Sequence, residues 1–400
     1  MLRGNGERDL RIGVVTARSA SFGGDVHTDA GLGRFVDELA KRFPRLLFAC
    51  SESPERQPLF HHRMAMPREQ VLPLPWLPSV AGGFFKALPC RDVIREVERH
   101  VDVTLVQLPF AAPAALVAPS RPRVYHVCAD VKAIATTSPA YRGVKHVAAT
   151  TVAAFMSDLQ RELAEQPGAH VVTHGRDLLA QLPRARGRAV VSSALYDAEV
   201  DSVRRTRPDD APFRVLFVGY LRPEKGIGTL LAAFERFLHE VPNAELVIVG
   251  ATHAVERGTT GELAAGVRRL EERGRIQLLG KRDFGPELFE CFANADVLVL
   301  PSLSEGTPRV LVEARAFRCP VIASDVGGIP TSVDDGLDGV LFPPGDADAL
   351  HRALVRVATD KQLRARLVDN GLERARACTV EKFVDQVAEE IVAAAAEARR

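Results

Sequence analysis

The chain is short of paired cysteines, of net charge and of long apolar runs, and each shortage removes a class of protein. Its six cysteines, at 50, 90, 128, 291, 319 and 378, are scattered and form no C-x-x-C pair. Free thiols buried in a reducing cytosol account for them better than a disulfide framework does. Lys and Arg number 52 against 51 Asp and Glu, a formal net charge of +1, which argues against nucleic acid as a partner. No apolar run reaches the roughly 18 residues of a spanning helix. The opening MLRGNGERDLRIGVV has no signal-peptide core. The expectation is a cytoplasmic protein, still free to rest on a membrane. The first expected strand is not followed by G-x-G-x-x-G and a later acidic residue, so a nicotinamide enzyme ranks low.

What is present is material for two cores. The chain has 400 residues, 46% of them hydrophobic. Arg11–Thr16 reads as a first strand and the Gly-rich stretch Ser21–Asp25, with Gly23 and Gly24, as its loop. Leu32, Phe35, Val36, Leu39 and Phe43 then lie on one helical face, and Leu46–Cys50 completes a β-α-β unit. The same loop carries Asp25-x-His27-x-Asp29, a ligand-like pattern with no Cys or second His at a zinc-like spacing. An acceptor-facing loop is preferred there to a metal site. Residues 61–89 are proline-rich and apolar, with His61, His62, Arg63, Arg68, Lys86 and the one tryptophan, Trp76. An irregular packed loop is the plainer reading, and a surface for a lipid headgroup or amphipathic acceptor the sharper one.

Strands are expected at Val103–Gln107, Arg123–Val127 and Ala169–Thr173, with a long helix over Val147–Glu165. His126 stands at the end of the second of these strands. Arg184, Arg186 and Arg188 read as a solvated turn, and the charged stretch 201–212 as the interdomain linker. Alternation restarts at Phe213–Gly219, and a turn through Arg222 and Lys225 enters a helix bearing Leu230, Leu231, Phe234, Phe237 and Leu238 on one side. Lys225 at a helix entrance suits a point charge against a diphosphate. Asp346-Ala347-Asp348 follows Pro-Pro-Gly and opens a helix, so it reads as an N-cap turn.

The most informative stretch is Pro301–Asp325, PSLSEGTPRVLVEARAFRCPVIASD. Ala295–Leu300 before it reads as a buried parallel strand stopped at Pro301. A tight turn follows, and Pro308 opens a helix. Glu305 therefore sits beside free helix N–H groups, with Glu313 eight residues on, about 12 Å away at a helical rise. Helix N-termini hold phosphate, so a nucleoside diphosphate sugar fits, one Glu near the hexose and the other near the ribose.

Glu305-x7-Glu313 within S-x-x-E-G-x-P-x-x-L-x-E-A, followed by C-P-V-I-A-S-x-x-G-G-I-P, closely resembles glycosyltransferase family 4. The resemblance is strong over 213–346 and looser before it. It implies an α/β GT-B fold: two doubly wound Rossmann-like domains facing across a cleft. The domains would span 1–205, on the acceptor side, and 206–379, on the donor side, with the C-terminal helix in 380–400 packing back on the first. It also implies a retaining, metal-independent hexosyltransferase that needs no cofactor, its nucleotide-sugar donor being a substrate. Glu305 would contact the sugar near its reacting carbon, Glu313 the ribose, and His126 a hexose hydroxyl. Donor contacts would extend over Gly24, Arg222, Lys225 and Gly306, Thr307, Pro308, Arg309 and Val310.

The stretch Gly31–Phe35 resembles the G-I-G-R-Y entry to the family's first helix, whose glycines let backbone N–H groups approach a phosphate or acceptor. Asp25, His27 and Arg34 are the acceptor-side candidates. Lys281–Asp283 resembles the nucleobase seat. The family's G-R-L-x-P-E-K-G is broken here by Tyr220, leaving Arg222 as the substitute, and its G-G-x-P-E ends in Thr331. The acceptor would be a glycan, lipid or small molecule, in polysaccharide or glycolipid biosynthesis. Two rivals keep the fold: a nucleotide-sugar epimerase and a non-catalytic nucleotide-sugar-binding partner.

Overall fold

The computed structural model describes residues 8–54, 57, 60–75, 87–109, 117–137, 143–208, 210–250 and 262–399. It divides into two compact units, Met1–Ala135 with Gly143–Ala194 and Val380–Arg400, and Thr136–Arg142 with Leu195–Thr379.

The first unit is built on nine strands among the described residues: β1 (Ile12–Phe22), β2 (Val26–Thr28), β3 (Leu47–Glu52), β4 (His62–Arg63), β5 (Val71–Leu74), β6 (Val103–Leu108), β7 (Arg123–Val127), β8 (His170–His174) and β9 (Arg186–Val190). Near-continuous buried runs such as Val103–Leu108 fit strands covered on both faces. The parallel body runs β5-β3-β1-β6-β7-β8-β9. β1 is longer than its first apolar run because its far end turns at Gly23–Asp25 and returns as β2, antiparallel, pairing Ser21 with His27 and Phe22 with Val26. The D-x-H-x-D stretch is thus half of a hairpin, and the loop expected there is confined to its turn. Helix α1 (Ala30–Arg42) follows, burying Leu32, Phe35, Val36 and Leu39 as the 3.6 period requires.

The second unit is a purely parallel sheet of β10 (Arg214–Val218), β11 (Glu245–Val249), β12 (Ile276–Gly280), β13 (Val297–Leu300), β14 (Val321–Ser324) and β15 (Val340–Phe342). Their order is β12-β11-β10-β13-β14-β15, the doubly wound arrangement. Helix α2 (Ile227–Glu240) lays Leu230, Phe234 and Phe237, all fully buried, against Val215, Phe217 and Leu246. Truncating either aromatic to Ala at such a site costs about 3–5 kcal/mol. Two further helices matter below, α3 (Arg309–Ala316) and α4 (Ala347–Thr359). The charged stretch read as a linker is fastened to this unit. Arg207 reaches Glu245 at 2.8 Å and the carbonyl of Asn294 at 3.1 Å, and Arg205 pairs with Asp296 at 2.9 Å. Its charges serve partners at the starts of β11 and β13 that no local pattern reveals.

The chain then returns to the first unit as α5 (Val380–Ala398), which packs on α1 and on β6–β9. Arg186 and Arg188, expected in a solvated turn, lie on β9 and pair with Glu397 and with Glu389 and Glu390 of this helix. Glu390 also accepts from His170 Nδ1 at 2.9 Å. The turn reading fails because the carboxylates that make an Arg-rich edge strand stable arrive some 200 residues later.

Candidate active site

In the second unit the strand order reverses between β10 and β13, the point at which doubly wound sheets open a crevice beyond their carboxyl ends. Both motif turns leave from there. After β10 a 3-10 turn, Pro223–Lys225, leads into α2 through Gly226, which is left-handed at φ 67°. A Cβ on Gly226 would lie 1.8 Å from the carbonyl oxygen of Pro301, so only glycine lets this turn meet the end of β13. The Leu303 N–H donates to the Glu224 carbonyl at 2.8 Å and ties the two turns together. Lys225 Nζ then lies 2.5 Å from Glu305 Oε1, which also accepts from Ser302 Oγ at 2.7 Å. Gly327 backs this corner at φ 56°, where a Cβ would lie 2.0 Å from the Glu305 carbonyl oxygen. The Lys225 and Glu305 side chains remain 24% and 11% exposed, so the pair is half in water and within reach of a solute.

Helix α3 starts beside the pair. Its N-cap is Pro308, which makes no side-chain cap bond, and no acidic residue occupies its first turn. The amides of that turn carry the positive end of the helix dipole. The Thr307 hydroxyl oxygen is buried with no hydrogen-bond partner among the described residues, and Glu313 is buried one turn further on. The Lys225–Glu305 pair, Thr307 and the α3 N-terminus make a small patch rich in N–H donors, where an anion can take over Lys225 from Glu305. Arg222 takes no part in the pair. Its side chain is 64% exposed, stacks over the Tyr220 ring at 5.1 Å and lies 3.9 Å from Glu224.

In the first unit His126 is the last residue but one of β7, buried, with Nε2 2.8 Å from His174 Nε2 and Nδ1 3.4 Å from the Gln107 amide nitrogen. Phe35 of α1 and Phe383 of α5 flank the ring at 5.8 and 5.7 Å. Burial drives the His126 pKa well below the ordinary histidine value, and the neighbouring His174 and Arg18 push it the same way. The imidazole is therefore neutral, a hydrogen-bonding group in an apolar wall.

Residues 201–374 match the family described as glycosyl transferases group 1. This segment, 174 of the 400 residues, carries the pattern of the group 1 glycosyltransferases. It is 37% identical over 162 residues to a phosphatidyl-myo-inositol mannosyltransferase of Mycolicibacterium smegmatis, 40% of each chain. It is 31% identical over 283 residues to a D-inositol 3-phosphate glycosyltransferase of Thermomonospora curvata, 66% of this chain and 64% of the relative. The chain thus spans less than two thirds of the length of these curated relatives. Among solved structures, sucrose-phosphate synthase from Thermosynechococcus elongatus superposes with a TM-score of 0.67 at 20% identity, covering 96% of this chain and 100% of the other. HepE of Anabaena, in complex with UDP and glucose, superposes at 0.66 and 22%, covering 95% and 98%. The two doubly wound units are those of the GT-B fold.

Lys225, Glu305 and Thr307 lie together in the second unit, while Arg222 and several first-unit candidates are otherwise engaged. Asp25 pairs with Arg63 at 3.0 Å, and His27 lies in register with Arg63 on β2. Asp29 caps α1 through the Leu32 N–H at 3.2 Å and pairs with Arg18 at 2.6 Å, so the three form no ligand cluster among the described residues. Arg34 donates to the Ala194 carbonyl at 3.0 Å, and Gly24 lies in the exposed hairpin turn. Gly33 does not offer its amide to a ligand: that N–H donates to the Asp29 carbonyl at 2.9 Å. It is glycine because a Cβ would lie 2.0 Å from the ring of His62, itself bonded to Asp37 at 2.7 Å.

Of the basic residues read as a membrane-facing surface, His62 is turned inward and Arg63 is paired. Arg68 lies over the Phe22 ring at 4.9 Å. Trp76 and Lys86 lie outside the described residues. Asp346 caps α4 through the Ala349 N–H at 2.9 Å, and Asp348 pairs with Arg236, so the D-A-D stretch is an N-cap turn. His174, which the sequence reading passed over, directly follows the expected strand Ala169–Thr173. Alongside Arg123–Val127 that strand sets Val172 opposite His126, so His174 lies two residues on, on the same face of the sheet.

Proposed function

We propose that this chain moves a hexose from a nucleoside diphosphate sugar to an acceptor hydroxyl, with retention of configuration and without a metal ion. The observation that carries the reading is the Lys225–Glu305 pair at the strand-order reversal, beside the uncapped N-terminus of α3. As the glycosidic bond breaks, the leaving phosphate gains negative charge and the sugar ring becomes cationic. Lys225 and the amides of Gly306–Val310 stabilise the phosphate, aided by the buried Thr307 hydroxyl. Glu305 lies near the reacting carbon and releases Lys225 when the donor's own charge arrives. Glu313 holds the ribose, and His126 exchanges a hydrogen bond with a hexose hydroxyl. No motif places a carboxylate as a covalent nucleophile, unlike the two-carboxylate glycosidases, which favours attack from the leaving group's own face.

The acceptor is a glycan, a lipid or a small molecule. The inositol compounds in the names of the two curated relatives head the list to test, and the UDP of the HepE complex makes uridine donors the first to try. Among the described residues no helix is long and apolar enough to cross a membrane. The working reading is a cytoplasmic enzyme meeting a lipid acceptor, where it has one, at the membrane surface.

The test is a donor panel ranked by thermal shift, then turnover of the best donor with and without candidate acceptors. Acceptor-dependent release of nucleoside diphosphate that EDTA does not lower is expected, with the product's anomeric configuration matching the donor's by NMR. Acceptor-independent release or an isomerised sugar would identify an epimerase instead. Tight donor binding with no turnover across the panel would leave a binding protein.

A further inference from the structure

The carboxyl ends of β7 and β8 bring two imidazoles and a thiol to one point. His126 and Cys128 are i and i+2 on an extended run, since the Cys128 N–H continues the ladder to the Leu108 carbonyl at 2.9 Å. His174 ends the next strand. The nitrogen and sulfur ligand atoms of the three all lie within 4.8 Å of one another. The two Nε2 atoms, at 2.8 Å, need to part by only about half an ångström to sit on one tetrahedral ion with bonds of about 2.0–2.1 Å.

Gln107 supplies a second and independent sign. Its Oε1 is buried without a partner among the described residues, while its amide nitrogen faces His126 Nδ1. Turning the amide over sets Oε1 against an Nδ1–H, the outer hydrogen bond that metal-bound histidines keep. That tautomer leaves the Nε2 lone pair of His126 facing His174 and Cys128. The Cys128 thiol donates to the His126 carbonyl at 3.5 Å, which keeps Sγ beside the two imidazoles. The nearby cation, Arg18, is held by Asp29. Two imidazoles and a thiolate favour zinc over magnesium or manganese, which prefer oxygen.

We propose that His126, Cys128 and His174 form a binding site for zinc, its fourth position open, and that the bound ion withdraws His126 from the sugar. The second half rests on the role given to His126 above; the first half stands without it.

The test uses the full chain stripped of metal and titrated with Co²⁺, a spectroscopic stand-in for zinc. The visible bands of a tetrahedral site and a thiolate-to-metal charge-transfer band are expected, both bleached by Zn²⁺. Cys128→Ser should keep the parent's melting temperature, lose the charge-transfer band and bind Zn²⁺ at least about tenfold more weakly. A folded parent with no such bands, or a charge-transfer band that survives Cys128→Ser, overturns the site. In the transfer assay, Zn²⁺ should inhibit the parent and spare Cys128→Ser. Zinc bound with turnover unchanged would overturn the withdrawal of His126 and leave the metal site standing. A chain with no transferase activity would remove only the proposed function, since the spectra judge the site by themselves.

Discussion

The corner at Lys225 and Glu305 and the corner at His126 and His174 both lie beyond the carboxyl ends of parallel strands, yet they are made of opposite materials. The first is a full ion pair, half in water, next to helix amides. The second is a pair of imidazoles between Phe35 and Phe383, with His126 held neutral by burial. An ion pair in partial contact with water is worth little by itself, so it exchanges readily for the charge of a ligand. A neutral imidazole in an apolar wall has already lost its water, and it offers a directed hydrogen bond at little further cost. Under the proposed function, charge stabilisation therefore falls to the second unit, and orientation of an uncharged group to the first.

The largest expected effect tests that division directly. Lys225→Ala should lower turnover about 100- to 1,000-fold with a smaller change in donor affinity, as for the loss of a preorganised transition-state donor. His126→Ala should cost only about tenfold, the worth of a neutral hydrogen bond. Steady-state kinetics at saturating donor compares them, and a His126→Ala variant slower than Lys225→Ala would reverse the assignment. Next in size is Glu313→Ala. Losing a charge-assisted bond of about 1.5–3 kcal/mol should weaken nucleotide binding about ten- to a hundredfold by calorimetry, and unchanged affinity in a folded variant would remove Glu313 from the ribose.

A milder effect separates the two kinds of histidine by pH. His170 has its pKa raised, chiefly by its hydrogen bond to Glu390, so it binds its proton more tightly folded than unfolded. Its stabilisation is complete below the ordinary value of about 6.5 and is lost as pH rises through the folded value. His126, lowered by burial, contributes with the opposite sign: its stabilisation is present above about 6.5 and is lost as pH falls toward its folded value. Melting temperatures of Glu390→Gln should lose the decline above pH 6.5. A parent-like decline in that variant would detach it from His170. The smallest effect expected is that of Arg222→Ala, under about twofold in turnover, because its exposed guanidinium rests on Tyr220. A loss to match Lys225→Ala would show that it swings onto the phosphate.

The two corners also differed in how far they could be read from the residues alone. Around Lys225 and Glu305 each signal is local: a buried strand, a proline, a helix start, a glycine where a turn needs one. Those signals fix the turns even though the two residues lie 80 positions apart. The glycines at 226 and 327 were visible, but their reason, the carbonyls of Pro301 and Glu305, was not. In the first unit the decisive facts are pairings. His174 meets His126 only because β8 lies beside β7. β2 is three residues long, too short for a period-two pattern to emerge. Arg188 reads as solvated until Glu389 and Glu390 of α5 are set against it. Gly33 looked like a phosphate-binding glycine because its true neighbour, His62, comes from a separate stretch of chain.

Because α5 belongs to the first unit yet follows Thr379, the ribosome emits the second unit whole before the first has all its parts. About 185 residues separate Ala194 from Val380, roughly 10–40 s of synthesis at about 5–20 residues per second. Through that interval the faces of α1 and β6–β9 that α5 covers stand without it. His170 and Arg188 wait for Glu390, and His126 waits for Phe383. No residue of the second unit follows Thr379, so the half of the chain begun last is the half that can be finished first.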